Sequence, residues 1–374
     1  MHRITLERCS GCRACENVCP QNCIRIDSNR VDYFEAVVDE KKCLKCGKCK
    51  RVCPQINPPE KNSVIVAYNA CSSNGALCMR SSSGGIASTL YKYCLERNIK
   101  CIGVKFDNDL KLSYQFVNGI EDLRSFAGSK YVHGDMHNIY GIVRDEIKKG
   151  EKILFIGLPC HVAGLLNVVG HNDNLITIDL TCDAVMMPSL FRHHLRYVED
   201  RIGIKAHDVR FRQKDNEYGL TVVNDRGNVV YKKDAWTDEY MLAFRRGIGY
   251  CSSCYDCKYA TDKRCSDMTI KDCTMPANEK PRIKLYYRAS QVLINTEKGR
   301  KIWDACVLNE GINCEKYSLD KIIRAEKRFR YPARNVMGNR VFHVLMKIFS
   351  FERAIRIMYP LSGLFKEKIE KGER

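Results

Sequence analysis

The sequence predicts an α+β protein in three consecutive parts: a small cysteine-rich module over residues 1–60, a mixed α/β body over 61–330 and a basic helical tail over 331–374. Three observations predict it. Two identically spaced cysteine runs open the chain, β-rich apolar runs then alternate with helix-like segments, and cations accumulate beyond Lys280. At 374 residues the chain is long enough to bury a substantial core. It holds 22 cysteines and no basic leader followed by an apolar stretch and a small-residue cleavage site. A cytoplasmic location is therefore expected, where so many cysteines point to metal or redox chemistry rather than a disulfide framework.

The first run, Cys9, Cys12, Cys15 and Cys19 before Pro20, has the spacing C-x2-C-x2-C-x3-C-P, and Cys43, Cys46, Cys49 and Cys53 before Pro54 repeat it. This is the bacterial ferredoxin-like pattern of a double 4Fe-4S module, in which the fourth cysteine of each run ligates the other run's cluster. Cys9, Cys12, Cys15 and Cys53 are thereby assigned to one cluster, and Cys43, Cys46, Cys49 and Cys19 to the second. Two complete runs with both prolines are hard to reconcile with a pair of tetrahedral zinc sites.

The polar, proline-bearing stretch from Gln55 to Ser63 reads as a linker. Beyond it, SVIVAY (63–68), KCIGVKF (100–106), KILFIGL (152–158) and LITIDL (175–180) read as buried strands. Gly85–Arg97, Asn138–Lys149 and Pro188–Arg201 read as helices, and residues 219–233 as a hairpin turning at Asp225–Asn228. His193 and His194 are read as surface residues of the last of these helices.

Several loops of the body carry chemistry. Ser81, Ser82, Ser83, Gly84 and Gly85 precede a helix, where backbone amides, hydroxyls and the helix dipole either cradle a phosphate or serve as an ordinary N-cap. The stretch is neither a Walker loop nor a dinucleotide fingerprint. Cys160 and Cys182 each follow a predicted strand, at the strand ends where ligands collect in α/β sheets; taken singly, each reads as a buried structural thiol. Cys251, Cys254, Cys257 and Cys265 fall within fifteen residues and by count suffice for a self-contained zinc or iron–sulfur site.

SSSGGIAS, GSKYVHGD, IGLPCHVAGL, DLTCD, CYDCKYA and SDMTIKD, in this order behind the double ferredoxin module, resemble the coenzyme F420 hydrogenase/dehydrogenase beta-subunit family over about residues 1–300. The resemblance implies a main domain binding FAD and a further 4Fe-4S cluster. It places that third cluster on Cys160, Cys182, Cys254 and Cys257, leaving Cys251 and Cys265 as spares among ten remaining thiols read as core or surface. It makes the serine and glycine loop a flavin phosphate site, with Ser129, Lys130 and Tyr131 lining the same pocket. Lys130 is read as a cation near phosphate or reduced flavin, or as a solvated loop lysine. Asp272 is read as an anchor for a cofactor hydroxyl or as a strand cap. Departures from the family pattern occur at His161, at Asp183-Ala184 and at Lys271, and they bear on the substrate pocket. His161 is the catalytic candidate for proton transfer, against the reading of a satisfied structural histidine.

These implications describe an iron–sulfur flavoprotein oxidoreductase passing electrons between ferredoxin-type clusters and FAD to reduce or oxidise an organic substrate, either an F420-type deazaflavin or a bacterial surface-polysaccharide-related metabolite. A redox partner protein or a small-molecule donor supplies or receives the electrons. The alternatives are an electron-transfer subunit serving a partner enzyme and a basic iron–sulfur protein that binds nucleic acid. The formal charge of +18 suits the last, but the residues from Lys280 onward supply 12 of those charges, bound clusters lower the total by roughly 2 each, and no nucleic-acid fold signature is present. The apolar C-terminal stretch 340–365 has no uninterrupted run long enough to span a bilayer. It reads as an amphipathic helix pair packed on the body, or as a peripheral contact with the inner face of the membrane through Lys347, Arg353 and Arg356.

Overall fold

The computed structural model describes residues 2–3, 8–28, 33–212, 217–275, 279–285 and 288–360. The N-terminal module contains β1 (His2–Arg3), α1 (Ala14–Asn17), β2 (Ile24–Asp27), β3 (Glu35–Val38) and α2 (Lys48–Val52), its strands forming an antiparallel sheet in the order β1-β3-β2. Each cysteine run wraps into a short helix through residues of positive φ, Gly11 and Arg13 before α1 and Gly47 before α2. At Gly11 a Cβ would lie 2.7 Å from the Phe34 ring, so a side chain there would push the first run off its sheet.

The body follows with β4 (Val66–Cys71), α3 (Gly75–Arg80), α4 (Ile86–Leu95), β5 (Lys100–Phe106), β6 (Leu112–Phe116), α5 (Leu123–Phe126), α6 (Ile139–Lys148), β7 (Ile153–Gly157), α7 (Pro159–Val169), β8 (Leu175–Leu180) and α8 (Pro188–Ile202). Then come β9 (Asp208–Arg212), β10 (Tyr218–Val223), β11 (Val229–Asp234), α9 (Glu239–Arg246), β12 (Met268–Asp272), β13 (Ser290–Ile294), α10 (Glu297–Glu310), β14 (Asn313–Tyr317), α11 (Leu319–Ala325), α12 (Val336–Leu345) and α13 (Phe351–Met358). Eight strands make one mixed sheet in the order β14-β4-β13-β12-β8-β7-β5-β6, and β9, β10 and β11 make a separate antiparallel sheet. Strands β12, β8, β7 and β5 run parallel, and β13 runs antiparallel to both β12 and β4. The carboxyl ends of β4, β12, β8, β7 and β5 therefore share one edge.

One sheet face is covered by α4 and α10 around Trp303, Ile178, Val292 and Met268. Against the other, α6 and α7 pack with Phe155, Tyr140, Val162 and two residues of the N-terminal module, Cys12 and Ala14. That module is tied down by a bidentate pair, Arg13 to Asp135 at 2.5 and 2.8 Å, and by His133 Nε2 donating to the Ser10 carbonyl at 2.8 Å. Tyr259 donates to the Pro54 carbonyl at 2.8 Å, fastening the second run as well.

The predicted strands at 100–106, 152–158 and 175–180 and the three predicted helices fall on β5, β7, β8, α4, α6 and α8. The first strand lies three residues later than predicted. Its buried part includes Asn69, whose amide donates to Glu315 and whose carbonyl oxygen accepts from Gln291, each at 3.1 Å, so cross-strand polar pairing extends the strand past the apolar run.

His194 is not a surface residue. It is fully buried on α8, with Nε2 3.1 Å from Asp238 Oδ2 and Nδ1 3.1 Å from Glu352 Oε1 on α13; its neighbour His193 is the exposed one of the pair. Burial alone would pull the His194 pKa down, but the two carboxylates outweigh it and hold it up at about 9. The imidazolium thereby clamps the C-terminal helix to the body, where Phe351, Ala354 and Ile355 are also buried. Arg356 is engaged too, donating to Glu239 Oε1 from Nε at 2.8 Å and to Tyr197 Oη at 2.7 Å, so it does not point toward lipid headgroups.

Because the folded pKa lies above the unfolded value of about 6.5, the stabilisation from His194 is complete below about pH 6.5 and is lost as pH rises through about 9. His194→Gln should be less stable than the native chain by roughly 3–5 kcal/mol at pH 6, since it leaves buried carboxylates unpaired. That difference should shrink as pH is raised from 6.5 to 9, as read by denaturant unfolding at each pH. A difference that stays constant across this range would show that His194 is not charged in the folded protein.

Candidate functional site

The thiol environments group Cys53 with the first cysteine run and Cys19 with the second. Burial first, and then repulsion from Cys53, pushes the Cys12 thiol up to about 11. Cys9 and Cys15 are likewise raised, first by burial and then by thiols that include Cys12 and Cys53. Cys53 from the second run thus joins Cys9, Cys12 and Cys15. Cys19 from the first run lines a cavity of about 500 Å³ together with Cys43, Cys46 and Cys49. Cys23, one of the ten remaining cysteines read as core or surface thiols, lines the same cavity with its sulfur 3.3 Å from that of Cys19.

A third gathering lies where α7 meets the module. Cys160 stands in the first turn of α7 behind Pro159, Cys182 two residues past β8, and Cys254 and Cys257 in and after a 3-10 turn at Ser252–Asp256. After burial, the groups acting most strongly on Cys160 are Cys257, Cys182 and Cys12. Cys182 is pushed up to about 12 by burial, then Cys257 and Asp183, and Cys254 is raised by Cys251 first, with Cys182 and Cys257 contributing. Half-buried thiols up to 97 positions apart in sequence therefore act on one another as a single group. The raised thiols of the first and third sets resist ionisation until a metal cation compensates them, which fits a thiolate-bound iron cluster at those two places.

The third place abuts the first. Cys12 acts on Cys160, and Gly164 on α7 makes the approach close: a Cβ there would lie 2.9 Å from Tyr140 Oη and 3.3 Å from Cys12 Sγ. Cys251 lies between them, its thiol 3.6 Å from the Cys9 carbonyl. Cys265 belongs to the same core as Cys12, Cys160 and Cys257, but after burial the side chains acting most strongly on it are Asp179, Arg264 and Lys61 rather than those thiols.

The residues read as flavin contacts also come together, at the carboxyl edge of the sheet. Gly84 N donates to Ser290 Oγ at 3.0 Å and Ser83 Oγ lies 2.9 Å from the same oxygen, at the start of β13. A Cβ at Gly84 would sit 2.4 Å from the Ala70 carbonyl, so only glycine fits where the loop crosses the end of β4. Gly85, at φ 75°, opens α4, while Ser81 Oγ donates to Leu77 at 2.8 Å. Ser82 Oγ accepts from Ser129 N at 2.7 Å and stitches this loop to the one carrying Lys130 and Tyr131.

Tyr131 Oη accepts from Arg212 Nε at 2.5 Å, and Arg212 Nη2 reaches Asp272 Oδ2 at 2.7 Å. Arg212 is the cation that sequence reasoning missed, since it belongs to no motif and only the placement of β9 brings it to Asp272. Lys130 is not a solvated loop lysine. Its amine donates to the Phe126, Ala127 and Gly128 carbonyls at 3.2, 3.0 and 3.2 Å, capping α5, and burial pulls its pKa down to about 8.

His161 is fully buried, with Nδ1 2.8 Å from Tyr114 Oη and Nε2 3.1 Å from His133 Nε2. Burial, then His133, pulls its pKa well below the ordinary range, so the ring is neutral and bridges α7 to the loop that holds the module. The two other departures are partnered by one segment beyond α11: Arg328 donates to Asp183 at 2.8 Å, and Glu326 lies 3.5 Å from Lys271.

Residues 8–56 match the model of a 4Fe-4S dicluster domain. Residues 67–139 match the N-terminal model, and 150–319 the C-terminal model, of the coenzyme F420 hydrogenase/dehydrogenase beta subunit. A chain from the xenon-derivatised F420-reducing [NiFe] hydrogenase complex of Methanosarcina barkeri is similar at 16% identity, over 77% of this chain and 96% of that one, with a TM-score of 0.46. No curated protein sequence matches. With both halves of one family matched in order behind a dicluster domain, the chain belongs to the coenzyme F420 hydrogenase/dehydrogenase beta-subunit family.

Proposed function

We propose that this chain is an iron–sulfur flavoprotein oxidoreductase in which Cys9, Cys12, Cys15 and Cys53, then Cys43, Cys46, Cys49 and Cys19, then Cys160, Cys182, Cys254 and Cys257 hold three 4Fe-4S clusters beside an FAD site. The observation that carries the reading is the third thiol set, assembled from the start of α7, the loop after β8 and the 251–257 turn directly against Cys12. When bound, 4Fe-4S clusters supply single-electron transfer and FAD supplies both single and paired transfer, which together suit oxidation or reduction of an organic substrate such as an F420-type deazaflavin or a surface-polysaccharide-related metabolite.

The chain's own residues supply position and field. The free amides at the start of α4 and the hydroxyls of Ser82 and Ser83 suit a phosphate, while the Ser81 hydroxyl is spent on the Leu77 carbonyl. Arg212, held by Asp272 and Tyr131, supplies positive charge at the strand edge. Lys130 contributes by fixing its loop rather than by direct pairing. His161, neutral and bonded on both nitrogens, orients the start of α7 and with it Cys160.

The reading that the chain only relays electrons to a partner enzyme differs in one measurable respect, since turnover of an added deazaflavin by the isolated chain would exclude it. No helix among the described residues is long and apolar enough to cross a membrane. A peripheral contact is supported by α12, where Met337, Val341 and Val344 are exposed along one stripe beside Arg340.

The anaerobically purified chain should contain about 12 iron atoms. Cys160→Ala and Cys254→Ala should each lower this to about 8, while Cys265→Ala leaves it unchanged. Loss of iron in Cys265→Ala but not in Cys160→Ala would replace the third set with a site built within residues 251–265. Arg212→Gln should reduce FAD content severalfold at unchanged iron, measured by fluorescence of the released flavin; full retention would remove Arg212 from the flavin site. Val341→Glu/Val344→Glu should abolish flotation with anionic vesicles, and equal recovery of variant and native chain would dismiss the membrane contact.

A further inference from the structure

The second thiol set differs from the other two in its surroundings. Among the described residues Cys46 is the single exposed cysteine, whereas the first and third sets are wholly buried or half-buried. Around Cys46 the loop and α2 present Lys41, Lys42, Lys45, Lys48, Lys50 and Arg51, all exposed. Among the described residues only Lys42 has a carboxylate within ion-pair distance, Asp39 at 3.9 Å. Leu44, two residues from Cys46, is 63% exposed.

Six neighbouring cations repel one another, and the fold does not require them for packing. Balancing a bound cluster of charge roughly −2 would take two. The excess makes a positive rim about an apolar centre, beside the one thiol set that reaches solvent. Encounters between electron-transfer proteins are small, under about 1,200 Å², and are steered by complementary charge around such a centre. The stretch 41–51 contains no aromatic residue on which a base could stack and a single exposed aliphatic to enter a bilayer, so neither nucleic acid nor lipid suits it as well.

We propose that the face formed by Lys45, Lys48, Lys50 and Arg51 around Leu44 and Cys46 is the docking surface for a small acidic protein electron carrier, which gains or loses one electron per encounter as this chain loses or gains one. The proposal rests on the reading that Cys19, Cys43, Cys46 and Cys49 hold a cluster.

The test uses the full iron-loaded chain, an oxidised acidic flavodoxin as probe, and the variant Lys45→Glu/Lys48→Glu/Lys50→Glu, with affinity measured by calorimetry at low and physiological salt and iron measured in every sample. Flavodoxin should bind the native chain at least about tenfold more weakly at the higher salt, and the variant, at full iron content, should bind at least about tenfold more weakly than the native chain at low salt. Equal affinities at full iron overturn the proposal. So does a variant whose cluster midpoint potential shifts while flavodoxin affinity stays unchanged, because the lysines would then tune the cluster rather than dock a carrier. Lysine-dependent binding of a single-stranded oligonucleotide or of anionic vesicles, with none of flavodoxin, overturns it in favour of that partner. Iron content unchanged by Cys46→Ser would remove the cluster reading beneath the proposal, and the proposal with it.

Discussion

The rest of the structure depends on the contact between the N-terminal module and α7. Thiols of the first and third sets are brought together in or near the interior, where burial and neighbouring sulfurs oppose their ionisation. Iron bound to thiolate reverses that balance, and it does so only if the sulfurs are already close. Closeness between the first and third sets is set by Gly164, whose missing side chain lets α7 lie against Cys12, and by the Arg13 pair with Asp135. The module is thereby fixed in register with the body.

The sheet edge extends this arrangement. Cys160 and Cys182 leave the carboxyl ends of β7 and β8, and the serine and glycine loop crosses the end of β4. Parallel strands bring these ends to one side, where helix N-termini also point. Arg212 completes the edge from a separate sheet, and its bonds to Tyr131 and Asp272 link the Tyr131 loop to the end of β12.

Charge is distributed for different purposes in different places. In the C-terminal segment Arg356 is consumed by Glu239 and Tyr197, and Arg328 pairs with Asp183 beside Cys182, so part of its basic character is internal compensation. Around Cys46 the cations face solvent, and among the described residues only Lys42 has a carboxylate partner, Asp39. The His194 clamp belongs to the first kind: a buried imidazolium joins α8 to α9 and α13, and the tail becomes part of the body.

The ferredoxin-type spacing was legible in the sequence because short loops around a metal impose local geometry, and the crossed fourth ligand is implied by the repeat itself. The buried strands β5, β7 and β8 were legible because parallel strands covered on both faces become continuous apolar runs. The strand β12 hides among polar residues, and β4 runs on through Asn69, since cross-strand amide pairing leaves no hydrophobic signal. The third thiol set was reachable only through family resemblance. No local pattern announces Arg212, the burial of His194 or the capping role of Lys130. Each depends on which surfaces meet after residues far apart in sequence have packed, and hydrogen bonding and desolvation at such contacts are properties of the assembled interior rather than of any stretch of chain.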